Sequence, residues 1–327
     1  MVKVNIISGF LGAGKTTLIK KLLSAIKPGT EKIILLENEY GDVGVDGAFM
    51  KDSGIIVDEL NSGCICCTLV GDFQKAVDEL IEKYNPDRLI IEPSGVGKLS
   101  EIVNAVEKCK ARHAELEIAG CATVVDAGKA RMHMKNFGEF FLDQVNTADT
   151  VIFSRTRMLS ADRVEKSRAL IEEAHPGVRI VTTAWDELPA EVMLEVVETG
   201  RPIVLHVEHE HHHHHDHDEH CCCGHDHEHG HHHHHADEVF VSIGWETAKR
   251  YEQADIAAML DKLSDEEEYG NVLRAKGILC NAAGEWFQFD YVPGESQFRP
   301  GSADYTGRIC VIGAHIDEKA LKELFQA

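Results

Sequence analysis

The stretch Gly9-Phe10-Leu11-Gly12-Ala13-Gly14-Lys15-Thr16-Thr17 combines the residue types that phosphate binding needs. It fits the pattern G-x-x-x-x-G-K-[ST]. Glycines let backbone N–H groups converge on a phosphate with no Cβ in the way. A helix starting near Lys15 aims the positive end of its dipole at the same place. Lys15 is expected to reach the β- and γ-phosphates, and the Thr16 hydroxyl to hold Mg²⁺. The backbone of Gly12, Ala13, Gly14, Lys15, Thr16 and Thr17 would form the cradle. The surroundings agree: Val4 to Ile7 reads as a buried strand leading in, and Leu18, Ile19, Leu22, Leu23 and Ile26 follow at helical spacing. This arrangement predicts a nucleoside triphosphate site.

Three further groups carry chemistry. Arg88 to Ile91 reads as an apolar strand, and it ends in Glu92-Pro93-Ser94-Gly95. In a P-loop enzyme that position carries an acid for Mg²⁺, here Glu92, and Gly95 can offer its N–H to the γ-phosphate. Cys64-Ile65-Cys66-Cys67 is too compact for a closed zinc site built from two C-x₂₋₄-C pairs. It needs ligands from elsewhere, and the acidic segment Glu37-Asn38-Glu39-Tyr40-Gly41-Asp42 is the natural donor. An incompletely enclosed site of thiolate and carboxylate suits a metal that must leave again. All of the 21 His except His113, His133, His175 and His315 fall between 206 and 235, interleaved with acids around Cys221, Cys222 and Cys223. Imidazole and thiolate suit Zn²⁺, Ni²⁺ and Co²⁺. That segment has almost no apolar residues and is expected to be a metal-binding linker.

The elements that must position these groups alternate. Strands are expected at Lys32–Leu36, Ile55–Leu60, Ile118–Val125, Thr150–Phe153 and Arg179–Thr182. Helices are expected at Phe73–Tyr84, Ile102–Lys108, Phe137–Val145, Val164–Ala174 and Ala190–Val197. This order predicts an α/β fold, a P-loop NTPase with a mostly parallel sheet covered by helices, with ligands at the carboxyl ends of the strands. After the His-rich run, strands at Val239–Ile243, Val272–Leu279, Trp286–Val292 and Arg308–Ile312 and helices at Ala254–Leu263 and Glu318–Phe325 predict a small C-terminal α+β domain. No catalytic constellation is evident in it. The expected boundaries are 1–200, 201–237 and 238–327. The 327 residues suffice for two cores. A formal net charge of −22 argues against nucleic acid or an anionic membrane surface. No apolar run reaches the ~18 residues of a membrane span. Clustered cysteines and a strand-like start without a signal peptide point to the cytoplasm.

Taken in order, Gly9–Thr17, Glu37–Asp42, Gly63-Cys64-Ile65-Cys66-Cys67, Glu92–Gly95 and Thr123-Val124-Val125-Asp126 resemble the CobW-like metal-insertion GTPases. That family is related to the GTPases that help deliver nickel to urease and hydrogenase. The resemblance covers the whole chain, since the family commonly carries a His-rich linker and then a small domain similar to 239–325. It implies a transfer-competent metal site of Cys66 with Glu37 and Asp42, with Cys64 and Cys67 beside it. The family often has Glu where Asp42 stands; the shorter Asp keeps the charge. Glu37 as ligand and Glu37 as the carboxylate orienting the attacking water both remain open. The implied cofactors are GTP, Mg²⁺ and Zn²⁺, with Co²⁺ or Ni²⁺ as alternatives. The implied partners are a client metalloprotein or cofactor-synthesis enzyme and a second copy in a nucleotide- or metal-dependent dimer.

One departure matters. Where the family places N-K-x-D, this chain reads Ser154-Arg155-Thr156-Arg157. Arg157 has only donors and cannot replace the Asp that accepts from guanine. Arg155 could stack its guanidinium on a purine. Thr183 and Ala184 are expected near the base, and Asp186 or Glu187 just beyond them could supply the missing acceptor. The resemblance favours GTP, and the local chemistry leaves ATP open. It also leaves a metal buffer with a vestigial NTPase as the rival reading.

Overall fold

A computed structural model describes residues 1–27, 29–37, 56–59, 70–199, 239–301 and 306–326, with the backbone alone for 57–59 and 70–72. Apolar runs of five to eleven residues form the first sheet: β1 (Val2–Gly9), β2 (Ile33–Glu37), β3 (Ile56–Glu59), β4 (Arg88–Glu92), β5 (Leu116–Asp126), β6 (Thr150–Ser154) and β7 (Arg179–Val181), the edge strands β3 and β7 being shorter. Their spatial order is β3-β2-β4-β1-β5-β6-β7, and every pairing is parallel. Such a sheet must be covered on both faces. The helices that cover it are α1 (Lys15–Ser24), α2 (Val70–Tyr84), α3 (Leu99–Lys110), α4 (Ala130–Asn136), α5 (Gly138–Thr147), α6 (Ala161–Ala174) and α7 (Ala190–Glu198). One face buries Val4, Ile6, Leu36, Phe73, Leu89 and Val103, and the other Ile7, Leu18, Leu35, Ile90 and Met193. Alternate residues of one strand thus serve opposite layers.

The second sheet is antiparallel, in the order β11-β10-β9-β12-β8. Its strands are β8 (Val241–Thr247), β9 (Asn271–Cys280), β10 (Trp286–Val292), β11 (Glu295–Pro300) and β12 (Gly307–Ala314). Helices α8 (Gln253–Lys262) and α10 (Glu318–Phe325) pack on one face over Phe287, Phe289, Ile309 and Val311, with the short α9 (Glu266–Tyr269) between them in sequence.

Besides the short α9, the described residues add two elements to those expected. Helix α4 forms ahead of α5, and β11 follows β10 through a tight turn at Pro293-Gly294, with Gly294 at φ +85. The register Val292↔Glu295 makes this a two-residue hairpin. β8 begins two residues later than expected, and Phe240, ahead of it, goes to the core between the two sheets. Phe10, Phe137, Phe140 and Phe240 meet there with Ile278, Cys310 and Ile312 of the second sheet. Each buried Phe contributes roughly 1.5–3 kcal/mol relative to an exposed one, so this contact is a true core.

The described residues include no helix long and apolar enough to cross a membrane. The expected linker 201–237, with Cys221, Cys222 and Cys223, lies outside the described residues. So do Asp42, Cys64, Cys66 and Cys67.

Candidate functional site

The carboxyl ends of β1 and β4 meet at the start of α1. Gly9 closes β1 with φ +143, and a Cβ there would lie 2.4 Å from the Val124 carbonyl oxygen, so only glycine fits. Gly14, at φ +105, caps α1 in the left-handed region, and the chain turns into the helix at Lys15. Lys15 is buried, and its Nζ donates to the Gly9 carbonyl at 3.0 Å, which folds the ammonium back over the loop. The Thr16 Oγ1 donates to the Glu92 carboxylate, 3.0 Å from Oε1 and 3.2 Å from Oε2. A hydroxyl and a carboxylate beside a lysine form a set of hard oxygens, the donor chemistry Mg²⁺ prefers. Gly95, three residues past Glu92, packs on the loop itself: a Cβ there would come within 2.8 Å of the Leu11 nitrogen.

Glu37 ends β2, and the sheet register pairs it with Glu92 on one side and Glu59 on the other. Neighbouring strands lie ~4.8 Å apart, so these three residues are backbone neighbours at the strand ends. The segment that leads from Glu37 toward Asp42 and the cysteines therefore leaves the sheet one strand from the Thr16–Glu92 pair. Among the described residues no group of three or more His, Cys, Asp or Glu is gathered for a metal.

At the other end of the site lie β6 and β7. Ser154 is buried, and Arg155 follows in the left-handed region at φ 58. This conformation turns its guanidinium toward three partners. Its Nη1 donates to the Gly12 carbonyl (2.9 Å) and to the Asp126 carboxylate (3.1 Å), and its Nε to Glu295 of the second sheet (3.1 Å). Its guanidinium is thus held in a polar junction of phosphate loop, β5 and β11. Arg157 pairs with the Asp186 carboxylate and lies 3.7 Å from Glu187. All three side chains are more than half exposed. Thr183 and Ala184 lead into the 3₁₀ turn Trp185–Glu187. The Trp185 indole N–H donates to the Phe153 carbonyl at 2.8 Å, and its ring edge lies against Gly14.

The C-terminal domain, which showed no constellation in sequence, does contribute to this site. Arg274, Asp290, Glu295, Gln297 and Arg299 line the same cleft as Lys15, Thr16 and Glu92. Lys129 holds the turn of the β10–β11 hairpin through the Pro293 carbonyl (2.8 Å), and Val292 sits directly on Gly12. Strand β11 escaped sequence reading because its residues are polar and it ends in proline; the Pro293-Gly294 dipeptide is the turn signal that announces it. Trp185, a lone aromatic among polar neighbours, carries no such signal.

Residues 3–182 match the model of the CobW/HypB/UreG nucleotide-binding domain, and residues 240–327 that of the cobalamin synthesis protein CobW C-terminal domain. The chain is 35% identical over 156 residues to the zinc chaperone YeiR of Escherichia coli, covering 48% of this chain and 47% of that one. To the zinc chaperone CobW of a Sinorhizobium species it is 32% identical over 195 residues, 51% and 54% of the two chains. To the zinc chaperone CobW of Pseudomonas aeruginosa it is 32% identical over 244 residues, 63% and 64%. The matched stretches thus span about half the length of the first two relatives. With a parallel sheet that ends in a phosphate loop and a matching second domain, the chain belongs to the CobW/HypB/UreG family.

Proposed function

We propose that this protein hydrolyses GTP and uses the nucleotide state to hold and release a transition metal, zinc first and cobalt or nickel as alternatives, for a client metalloprotein or cofactor-synthesis enzyme. The observation that carries this reading is the register of Glu37 against Glu92. The first residue of the metal-binding segment and the carboxylate on the nucleotide side occupy neighbouring strand ends.

The roles follow from the residues. Lys15 places positive charge against the transferring phosphoryl group, and the backbone of Gly12, Ala13, Gly14, Thr16 and Thr17 holds its neighbours in line. Thr16 with Glu92 would hold Mg²⁺, which neutralises charge on phosphate oxygens. Gly95, fixed against Leu11, stands at the switch turn, where a backbone N–H can report the terminal phosphate. Cys64, Cys66 and Cys67 with Glu37 and Asp42 would take the cargo metal, and Cys221, Cys222 and Cys223 with the His-rich run would load it. The likeness to proteins named zinc chaperones supports zinc among the candidate metals. A shift of Glu37 when the terminal phosphate leaves would change the ligand set and weaken the hold on metal. The domain boundaries 1–200, 201–237 and 238–327 serve this scheme as motor, reservoir and cover.

Base choice has a second reading. The guanidinium of Arg157 offers guanine no acceptor, whereas Asp186, beside it, does. With Asp186 facing the base the protein remains a GTPase; otherwise an ATPase on the same scaffold fits equally. Steady-state hydrolysis of GTP and ATP by the full chain, with and without Zn²⁺, Co²⁺ and Ni²⁺, tests both. The expected result is GTP turnover that responds to one of the metals. Turnover of neither nucleotide would leave a metal buffer.

A further inference from the structure

The two faces of the C-terminal sheet have different fates. Phe287, Phe289, Ile309 and Val311 point into that domain's own core. The opposite face divides in two. Around Ile278, Cys310 and Ile312 it is apolar and packs on Phe10 and Phe140 of the first domain. Toward β10 and β11 it turns polar and charged, and there it opens on the cleft of Lys15, Thr16 and Glu92. The change follows strand periodicity: Phe289 and Tyr291 are core residues, whereas Asp290 and Val292 lie on the cleft side.

Two arginines mark this polar half. Arg274 is mostly buried, with 14% of its side chain exposed, and Asp290 on the adjacent strand holds it side-on through Nε (3.3 Å) and Nη2 (2.7 Å). Arg299 donates through Nε to Gln288 at 2.7 Å. A planar guanidinium matches phosphate geometry and can bind it through two parallel hydrogen bonds. The wall that carries the arginines is seated on the phosphate loop. A Cβ on Gly12 would come within 2.2 Å of Val292 Cγ1. Glu295 and the Pro293 carbonyl tie the hairpin to Arg155 and Lys129.

We infer that the C-terminal domain supplies part of the nucleotide site: Arg274, oriented by Asp290, and Arg299 contact the polyphosphate of a nucleotide bound at the Gly9–Thr17 loop. This rests on the nucleotide reading above and extends it to the second domain. The arginines share the cleft with Thr16 and Glu92, the side on which the terminal phosphate of a P-loop nucleotide lies. They therefore favour a triphosphate over a diphosphate, and phosphate loss loosens the bond between the domains.

The test is the affinity of the full-length chain for fluorescently labelled GTPγS and GDP. It is measured for the parent, Lys15→Ala, Arg274→Ala, Arg274→Lys and Arg299→Ala, with thermal unfolding as the check on folding. The expected result is at least tenfold weaker GTPγS binding in Arg274→Ala, a smaller loss for GDP, partial recovery in Arg274→Lys and a severalfold loss in Arg299→Ala. Arg299 is exposed, so its variant keeps the test decisive if Arg274→Ala does not fold. GTPγS affinity within twofold of the parent in folded Arg274→Ala and Arg299→Ala overturns the inference, while loss in Lys15→Ala alone leaves the phosphate-loop reading standing. A parent that binds neither these nor labelled ATPγS overturns both.

Discussion

The phosphate loop and the rim expected to meet the base are built on different principles. At the phosphate end, side chains and backbone act inside a buried frame: Lys15 donates to Gly9, and Thr16 to Glu92. At the expected base end, Arg157, Asp186 and Glu187 pair through long, exposed side chains. Phosphate recognition needs groups fixed before the ligand arrives, because preorganised dipoles cost no rearrangement during reaction. Recognition of the base at an exposed rim tolerates substitution, since an exposed ion pair contributes only about 0–1 kcal/mol.

The sharpest way to break the comparison is Lys15→Ala. Loss of one charge from a preorganised phosphate site should slow hydrolysis by about 10²–10³-fold, some 2.7–4 kcal/mol of barrier. Metal bound by the His-rich segment should be unaffected. Turnover within threefold of the parent would mean that the buried end is not where the chemistry occurs.

The buried end should also be the acid-sensitive one. His133 packs at a tilt against Phe10 of the phosphate loop, ring centroids 4.5 Å apart, and burial, aided by Lys129, pushes its pKa down to about 4. The unfolded chain therefore takes up a proton between about pH 6.5 and pH 4 that the folded chain refuses, so stability falls with pH across that window. Asp149 works in the opposite sense. Burial raises its carboxyl to about 6, and the stability this lends at low pH is lost as pH rises through 6. His133→Phe keeps the aromatic packing and removes only the first effect. Between pH 7.5 and pH 4.5 the variant should lose about 2–3 kcal/mol less than the parent in urea denaturation. Equal losses would show that His133 titrates normally.

These two ends also differ in how far the sequence discloses them. Gly9–Thr17 and Glu92 are legible because the loop needs glycine at positive φ and an acid directly after an apolar strand, constraints that leave a fixed spacing. The parallel sheet is legible for a similar reason, since strands buried on both faces read as unbroken apolar runs such as Ile33–Leu36. The hairpin strand β11 is not. Glu295, Gln297 and Arg299 face a polar cleft, so burial leaves no apolar alternation to read. Arg155 is visible as a departure from N-K-x-D, but its partners Asp126 and Glu295 are 29 and 140 residues away. Only the folded chain brings them together.

The smallest effect belongs to the exposed end. Arg157→Asp restores a carboxylate at the N-K-x-D position and should tighten GTP binding about three- to tenfold, up to ~1.4 kcal/mol, without strengthening ATP. Stability should change by less than ~1 kcal/mol. Competition of labelled nucleotide by GTP, ATP and ITP measures it, ITP reporting the contact with the exocyclic amino group. Unchanged affinities would show that residue 157 does not face the base.

In the proposed scheme nucleotide and metal are coupled through neighbouring strand ends, and linkage makes that coupling reciprocal. The most direct measurement is the affinity for GTPγS in excess Zn²⁺ and in chelator, for the parent and for Glu37→Ala. Coupling through Glu37 predicts that Zn²⁺ shifts the parent's affinity by about 5–150-fold and leaves that of Glu37→Ala nearly unmoved. A parent whose GTPγS affinity is the same within twofold in Zn²⁺ and in chelator would contradict the account.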